Sequence, residues 1–128
     1  MSGREDFQYS ILRVVPHVER GECLNAGVVL FCRRLAFLGA RTGLDAAALA
    51  AVAPDCDVGD VRAHLNALER VAAGVADGGP IAALEPSERF HWLTAPSSTI
   101  VQPSPVHTGM TSDPAAELDH LFQQLVIR

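Results

Sequence analysis

His107 is the residue of this chain best suited to chemistry. It stands in the run Ser98-Thr99-Ile100-Val101-Gln102-Pro103-Ser104-Pro105-Val106-His107-Thr108-Gly109, where prolines stiffen the backbone and hydroxyls and an amide gather around one imidazole. An imidazole titrates near neutrality, so His107 could act as a general base or hold a phosphate. Ser104 and Thr108 could supply hydroxyl donors beside it, and Ser98 and Gln102 further polar groups. Gly109 permits a positive φ or the close approach of a ligand. The plainer alternative is a histidine that bonds a backbone carbonyl and fixes a turn. Pro103-Ser104-Pro105 can likewise be read as a polyproline-like docking surface or as a crossover at a sheet edge.

Arg13 and Arg89 are the candidate anion holders, because a guanidinium binds carboxylate or phosphate through a bidentate fork. Arg13 falls on an otherwise apolar strand face, where a buried guanidinium needs an acceptor. Glu22 is the obvious one, giving either a structural ion pair or one wall of a ligand site. Glu22 and Asn25 would join His107 if the C-terminal strand lies beside the first two. For Arg89 the alternative is a surface residue paired with Glu85 or Glu88. Glu22, His17 and Glu19 match no recognised metal spacing, so no metal is expected.

Composition narrows the chemistry. The net charge of -5 argues against a general nucleic-acid surface. All ten basic residues are arginine, which removes lysine nucleophiles and Schiff bases. The chain carries no G-x-S-x-G elbow, no phosphate-cradling G-x-x-x-x-G-K-[ST] loop and no G-x-G-x-x-G, and no cofactor is implied. Cys23, Cys32 and Cys56 make an odd count with no C-x-x-C, and no export signal is visible. Reduced, packed thiols in a cytoplasm are expected. No apolar stretch approaches the length of a membrane helix.

The elements that must position these groups read as a single domain over 1–128. Residues 7–16 form a strand, 22–32 a second and 35–41 a third, an antiparallel meander over 1–43 with a tight turn at Arg33-Arg34. Gly27 inside the second strand predicts a bulge or a close backbone approach. A helical part follows over 45–76. Asp45 caps one helix and Asp57 or Asp60 another, which carries the stripe Val58, Val61, Leu65, Leu68, Ala72 and Val75 up to a stop at Gly78-Gly79-Pro80. Residues 88–112 supply short strands at 88–94 and 98–102 and the proline-rich segment, with Phe90 and Trp92 expected in the core. Asp113-Pro114 opens a terminal helix over 113–127. The sum is an α+β domain of two layers, an antiparallel sheet of about four to five strands with helices packed on one face. An exposed edge strand in so small a sheet could pair two copies as a homodimer.

Two segments resemble a known family. Tyr9-Ser10-Ile11-Leu12-Arg13-Val14-Val15-Pro16 with Arg20-Gly21-Glu22-Cys23-Leu24-Asn25-Ala26-Gly27-Val28-Val29-Leu30 is similar to the opening of a small bacterial family, domain of unknown function 3037. Pro96-Ser97-Ser98-Thr99-Ile100-Val101-Gln102-Pro103-Ser104-Pro105-Val106-His107-Thr108-Gly109, followed by Asp113-Pro114, is similar to its C-terminal part. The family brings no activity. It implies a bacterial protein encoded beside a HipA-like kinase, hence a protein partner of that kind.

Two classes of function follow. One is a non-catalytic interaction or accessory module. The other is a small hydrolase or a nucleotide- or phosphate-directed enzyme, with His107 as base and Arg13 or Arg89 on the anion. The second requires His107, Arg13, Glu22 and Asn25 to converge in one pocket.

Overall fold

The structure is a computed structural model that describes residues 3–97 and 99–127. Its centre is β1 (Glu5–Val14), an antiparallel partner to strands on both sides. On one side lie β2 (Leu24–Cys32) and then β3 (Phe37–Thr42). On the other, β4 (Val101–Pro103) pairs with residues 12–14 of β1, and β5 (His107–Thr111) with residues 5–9. Gly27 does both things its sequence context predicts. Ala26 is an extra residue in β2 between the pairs Leu12–Gly27 and Arg13–Asn25, a bulge. A Cβ on Gly27 would also lie 2.9 Å from the Arg41 carbonyl oxygen.

Four helices complete the α+β fold: α1 (Ala46–Val52), α2 (Val58–Ala73), α3 (Pro86–Leu93) and α4 (Pro114–Leu125). The carboxylates of Asp45, Asp57 and Asp113 accept the N–H groups of Ala48, Asp60 and Ala116, as helix starts of this composition require. The layering departs from helices on one face. Leu12, Val14, Val29 and Phe31 pack with Leu49, Val61, Leu65, Phe90 and Leu93 from α1, α2 and α3. Phe7, Val28, Leu30 and Cys32 pack with Leu118, Leu121 and Phe122 from α4. Alternate residues of β2 thus enter different clusters, and helices cover both faces of the sheet. The unbroken apolar run over 28–32 records this, since a strand buried on one face would alternate with polar residues.

Residues 86–93 form a helix where the aromatic residues predict a strand. Pro86 is its first residue, and the Thr94 hydroxyl donates to the Phe90 carbonyl at its end. Phe90 and Leu93, three apart, are the buried pair, with Phe90 stacked on Phe31 at 5.4 Å between ring centres. Trp92 faces away and is 45% exposed, so it is not a core residue. Helix α2 ends earlier than expected, at Gly74 in the left-handed region (φ 71° being the value at Gly21 and 67° here), and Val75 lies outside its buried stripe.

Between β4 and β5 the chain makes its least ordinary connection. Ser10 and Ile11 of β1 face three residues, Ser104, Pro105 and Val106, instead of two. Neither Pro103 nor Pro105 has an N–H to give a ladder. Ser104 substitutes for the missing regularity: its N–H donates to the Ile11 carbonyl at 2.8 Å, and its Oγ accepts the Ile11 N–H at 2.8 Å. The Ser10 hydroxyl closes the clasp by donating to the Ser104 carbonyl at 2.7 Å. Both serines are buried, so removing one hydroxyl strands its partners. Ser104→Ala is expected to lower unfolding free energy by about 1–3 kcal/mol in a denaturant titration, while Ser97→Ala at the exposed end of the segment changes it by less than about 0.5 kcal/mol.

Candidate functional site

The residues chosen for chemistry occupy separate places. His107 opens β5 opposite Tyr9, with its exposed ring 5.2 Å from the tyrosine ring. Arg13 lies four residues further along β1, about 13 Å at the usual strand rise. Arg13 is opposite Asn25 on one side and Gln102 on the other, so these three do form a cross-strand row. Two of them are committed locally. Asn25 Nδ2 donates to the Leu125 carbonyl at the end of α4, and Gln102 Nε2 donates to the Thr99 carbonyl. The Arg13 guanidinium is half-buried and has no partner among the described residues. Glu22 does not reach it and pairs with Arg20 at 2.9 Å. Ser98 lies outside the described residues.

Ser104 belongs to the clasp with Ser10. Thr108 sits on the exposed part of β5, at the rim of a cleft with Asp6, Gln8, Phe31, Arg33 and Arg34. Gly109 serves packing and not ligand approach, because the Phe7 ring lies against it and a Cβ would stand 2.6 Å from Phe7 Cζ. The four-residue convergence that an enzyme reading requires is therefore absent.

Arg89 has a definite structural task. Its Nη1 donates to the carbonyls of Val71 and Ala72 at 3.2 and 3.1 Å, placing a cation at the C-terminal end of α2. Gly74 matters twice there: its φ of 67° favours glycine, and a Cβ would strike the guanidinium. Among the described residues Arg89 makes no ion pair with Glu85 or Glu88, and its bonds are to the end of α2.

Besides the Thr108 cleft, of about 460 Å³, concave surface lies around Trp92. A hollow of about 240 Å³ runs from His64 and Leu68 on α2, past Trp92 and Leu93, to Ala95, Pro96, Ser97, Thr99 and Pro103. A second of about 420 Å³ shares His64, Leu68 and Trp92 and continues to Arg70, Asp77, Pro80 and Ile81. The two meet at the indole, which is exposed in a wall made of α2, α3 and the segment leading into β4. The surface is largely apolar, with His64, Ser97, Thr99 and an Arg70–Asp77 pair as its polar groups. That composition can hold an apolar or aromatic side chain, with the indole N–H free to donate. The signal in the sequence was Trp92 itself: with Phe90 and Leu93 as the buried pair of a helix, position 92 must face out.

Among the described residues no cluster of three or more His, Cys, Asp or Glu is arranged for a metal. His17 stands 3.9 Å from Glu19 and 3.8 Å from Asp55, away from Glu22. The thiols are all free. Burial first, then the carboxylates of Asp55, Asp57 and Asp60, push the Cys56 thiol above its ordinary range. A raised thiol is protonated at neutral pH and a poor nucleophile.

Residues 9–126 match the model of a family described as protein of unknown function (DUF3037), nearly the whole chain. No curated protein and no solved structure matches it.

Iodoacetamide at neutral pH is expected to label exposed Cys23 first, Cys56 more slowly and buried Cys32 only on unfolding, as peptide mass spectrometry would show. Arg89→Gln is expected to cost about 1–2 kcal/mol in denaturant unfolding, through the two carbonyls it now serves.

Proposed function

We propose that this chain, which belongs to the DUF3037 family, is a protein-interaction or accessory module and not an enzyme. The observation that carries the reading is Trp92, 45% exposed where two largely apolar hollows meet. Tryptophan is the side chain most enriched among residues that dominate binding energy, and this one stands in an apolar concavity and not singly on a convex surface. The partner we propose presents an apolar or aromatic anchor to the groove bounded by His64, Trp92, Pro96 and Pro103. By family resemblance that partner is a HipA-like kinase of the same bacterial operon. Free thiols and an arginine-only basic set fit a bacterial cytoplasm, the compartment we assign. Among the described residues no helix is long and apolar enough to cross a membrane.

The enzyme reading has the weaker support, since His107 and Arg13 are four strand positions apart and Arg89 caps a helix. Co-expression of the tagged chain with the adjacent HipA-like kinase is expected to recover the kinase. Trp92→Ala should weaken that capture at least about 30-fold in affinity, the effect of truncating a dominant anchor. Its melting temperature should stay near wild type, because the indole is not in the core. His107→Ala should retain full capture. Undiminished binding by the Trp92 variant would remove the groove from the interface.

A further inference from the structure

The two long edges of the sheet are finished differently. At the β3 edge, Glu69 of α2 accepts both the N–H and the hydroxyl of Thr42. Arg41 on the same strand lies over the Phe122 ring and pairs with Asp119 of α4. Charged side chains thus guard that edge. On the far side, β4 carries Pro103 and is followed by Pro105, which cannot donate to an added strand. β5 carries no proline and no carboxylate or guanidinium of its own, and Arg4, just before β1, reaches its edge at the Met110 carbonyl. Beyond β5 the sheet has no further strand among the described residues, and His107, Thr108, Gly109, Met110 and Thr111 include no carboxylate and no guanidinium. Met110 is 51% exposed.

Alternation fixes which backbone groups face outward. Ile11 and Val15 exchange bonds with the β4 side, through Ser104 N–H to the Ile11 carbonyl and Val15 N–H to the Ile100 carbonyl. Odd-numbered residues of β1 therefore point their peptide groups toward β4 and β5. Their opposites in β5, His107, Gly109 and Thr111, point back. Thr108 and Met110 are left with N–H and C=O directed away from the sheet. The Met110 carbonyl accepts from the Arg4 guanidinium at 3.4 Å.

We infer that β5 is a homodimerisation edge, pairing antiparallel with β5 of a second copy about a two-fold axis at Gly109. In that register Thr108 lies opposite Met110 of the other copy. Each such pair exchanges two hydrogen bonds, and the symmetry supplies both pairs. His107 faces Thr111, so no like charges meet across the axis. A second copy fits better than an unrelated strand because this five-residue segment is self-complementary, as an isologous contact requires. The prolines end the pairing on one side and the turn into α4 ends it on the other. An edge this short buries less than a stable interface needs, so the dimer is concentration-dependent. The Arg4 contact with the Met110 carbonyl is long and shares that oxygen's second lone pair.

Sedimentation equilibrium on the whole chain tests this. The weight-average mass is expected to rise from that of one chain toward two as concentration increases. Amide exchange at Thr108 and Met110 should slow over the same range, a readout that needs no substitution. Met110→Lys sets two cations near the axis and Met110→Pro removes an outward donor without touching the β1 ladder; both are expected to stay monomeric with near-wild-type melting. Trp92→Ala should leave the mass shift unchanged, which separates this edge from the groove. A wild-type mass that stays at one chain throughout, or a dimer that persists in both Met110 variants, would overturn the inference.

Discussion

The fold depends on a one-residue slip held by Ser104. β4 and β5 would be one continuous strand against β1 but for the extra residue between Pro103 and His107. Because side chains alternate with a period of two, a single inserted residue exchanges the faces of everything beyond it. With the slip, Val101 joins the cluster under α1, α2 and α3, while Gly109, four positions past Pro105, comes to lie against Phe7 in the cluster on the α4 side. Without it, Thr108 would meet the Phe7 ring. The Ser104 hydroxyl makes the interruption tolerable, since it accepts the Ile11 N–H that would otherwise be buried without a partner. The serine between two prolines is thus explained as backbone chemistry before any ligand is considered.

A sheet covered on both faces follows from the same geometry. β2 can be apolar at every position over 28–32 only because α4 occupies the face that α1, α2 and α3 leave open. Helix α4 is held there by more than apolar contact. Asn25, beside the β2 bulge, donates to the Leu125 carbonyl at its end, and Arg41 reaches from β3 to Phe122 and Asp119. The bulge at Ala26 and the bond from Asn25 therefore belong together: the extra residue turns the strand at the level where the helix terminates.

Much of this was legible in the residues. The three aspartate caps, the meander, the bulge at Gly27 and the terminal helix at Asp113-Pro114 are local signals, and local signals survive folding. The departures share one cause. Whether α4 returns to the second face, whether Arg89 meets the end of α2, and whether Ser104 meets Ser10, separated by 94 positions in the chain, are set by tertiary placement that spacing does not encode. The segment over 86–93 misled for a different reason. Its phenylalanine and tryptophan carry strand propensity, yet Pro86 at the first helical position and the Phe90–Leu93 spacing outweigh it once Phe31 offers a surface to pack on.

The chemical groups that drew attention in the sequence are mostly answered by the backbone itself. Ser104, Asn25, Gln102 and Arg89 each bond a main-chain group in place. A polar residue engaged in this way has part of its hydrogen-bonding capacity already committed, and breaking that bond for a ligand costs stability. What the fold leaves open is of another kind: an indole between two hollows, and a strand edge whose own residues include no proline, carboxylate or guanidinium. Apolar surface and unpaired peptide groups are satisfied by other proteins more readily than by small substrates. These features support the proposed contact reading, and because the groove and the edge lie on different elements, each can be altered without disturbing the other.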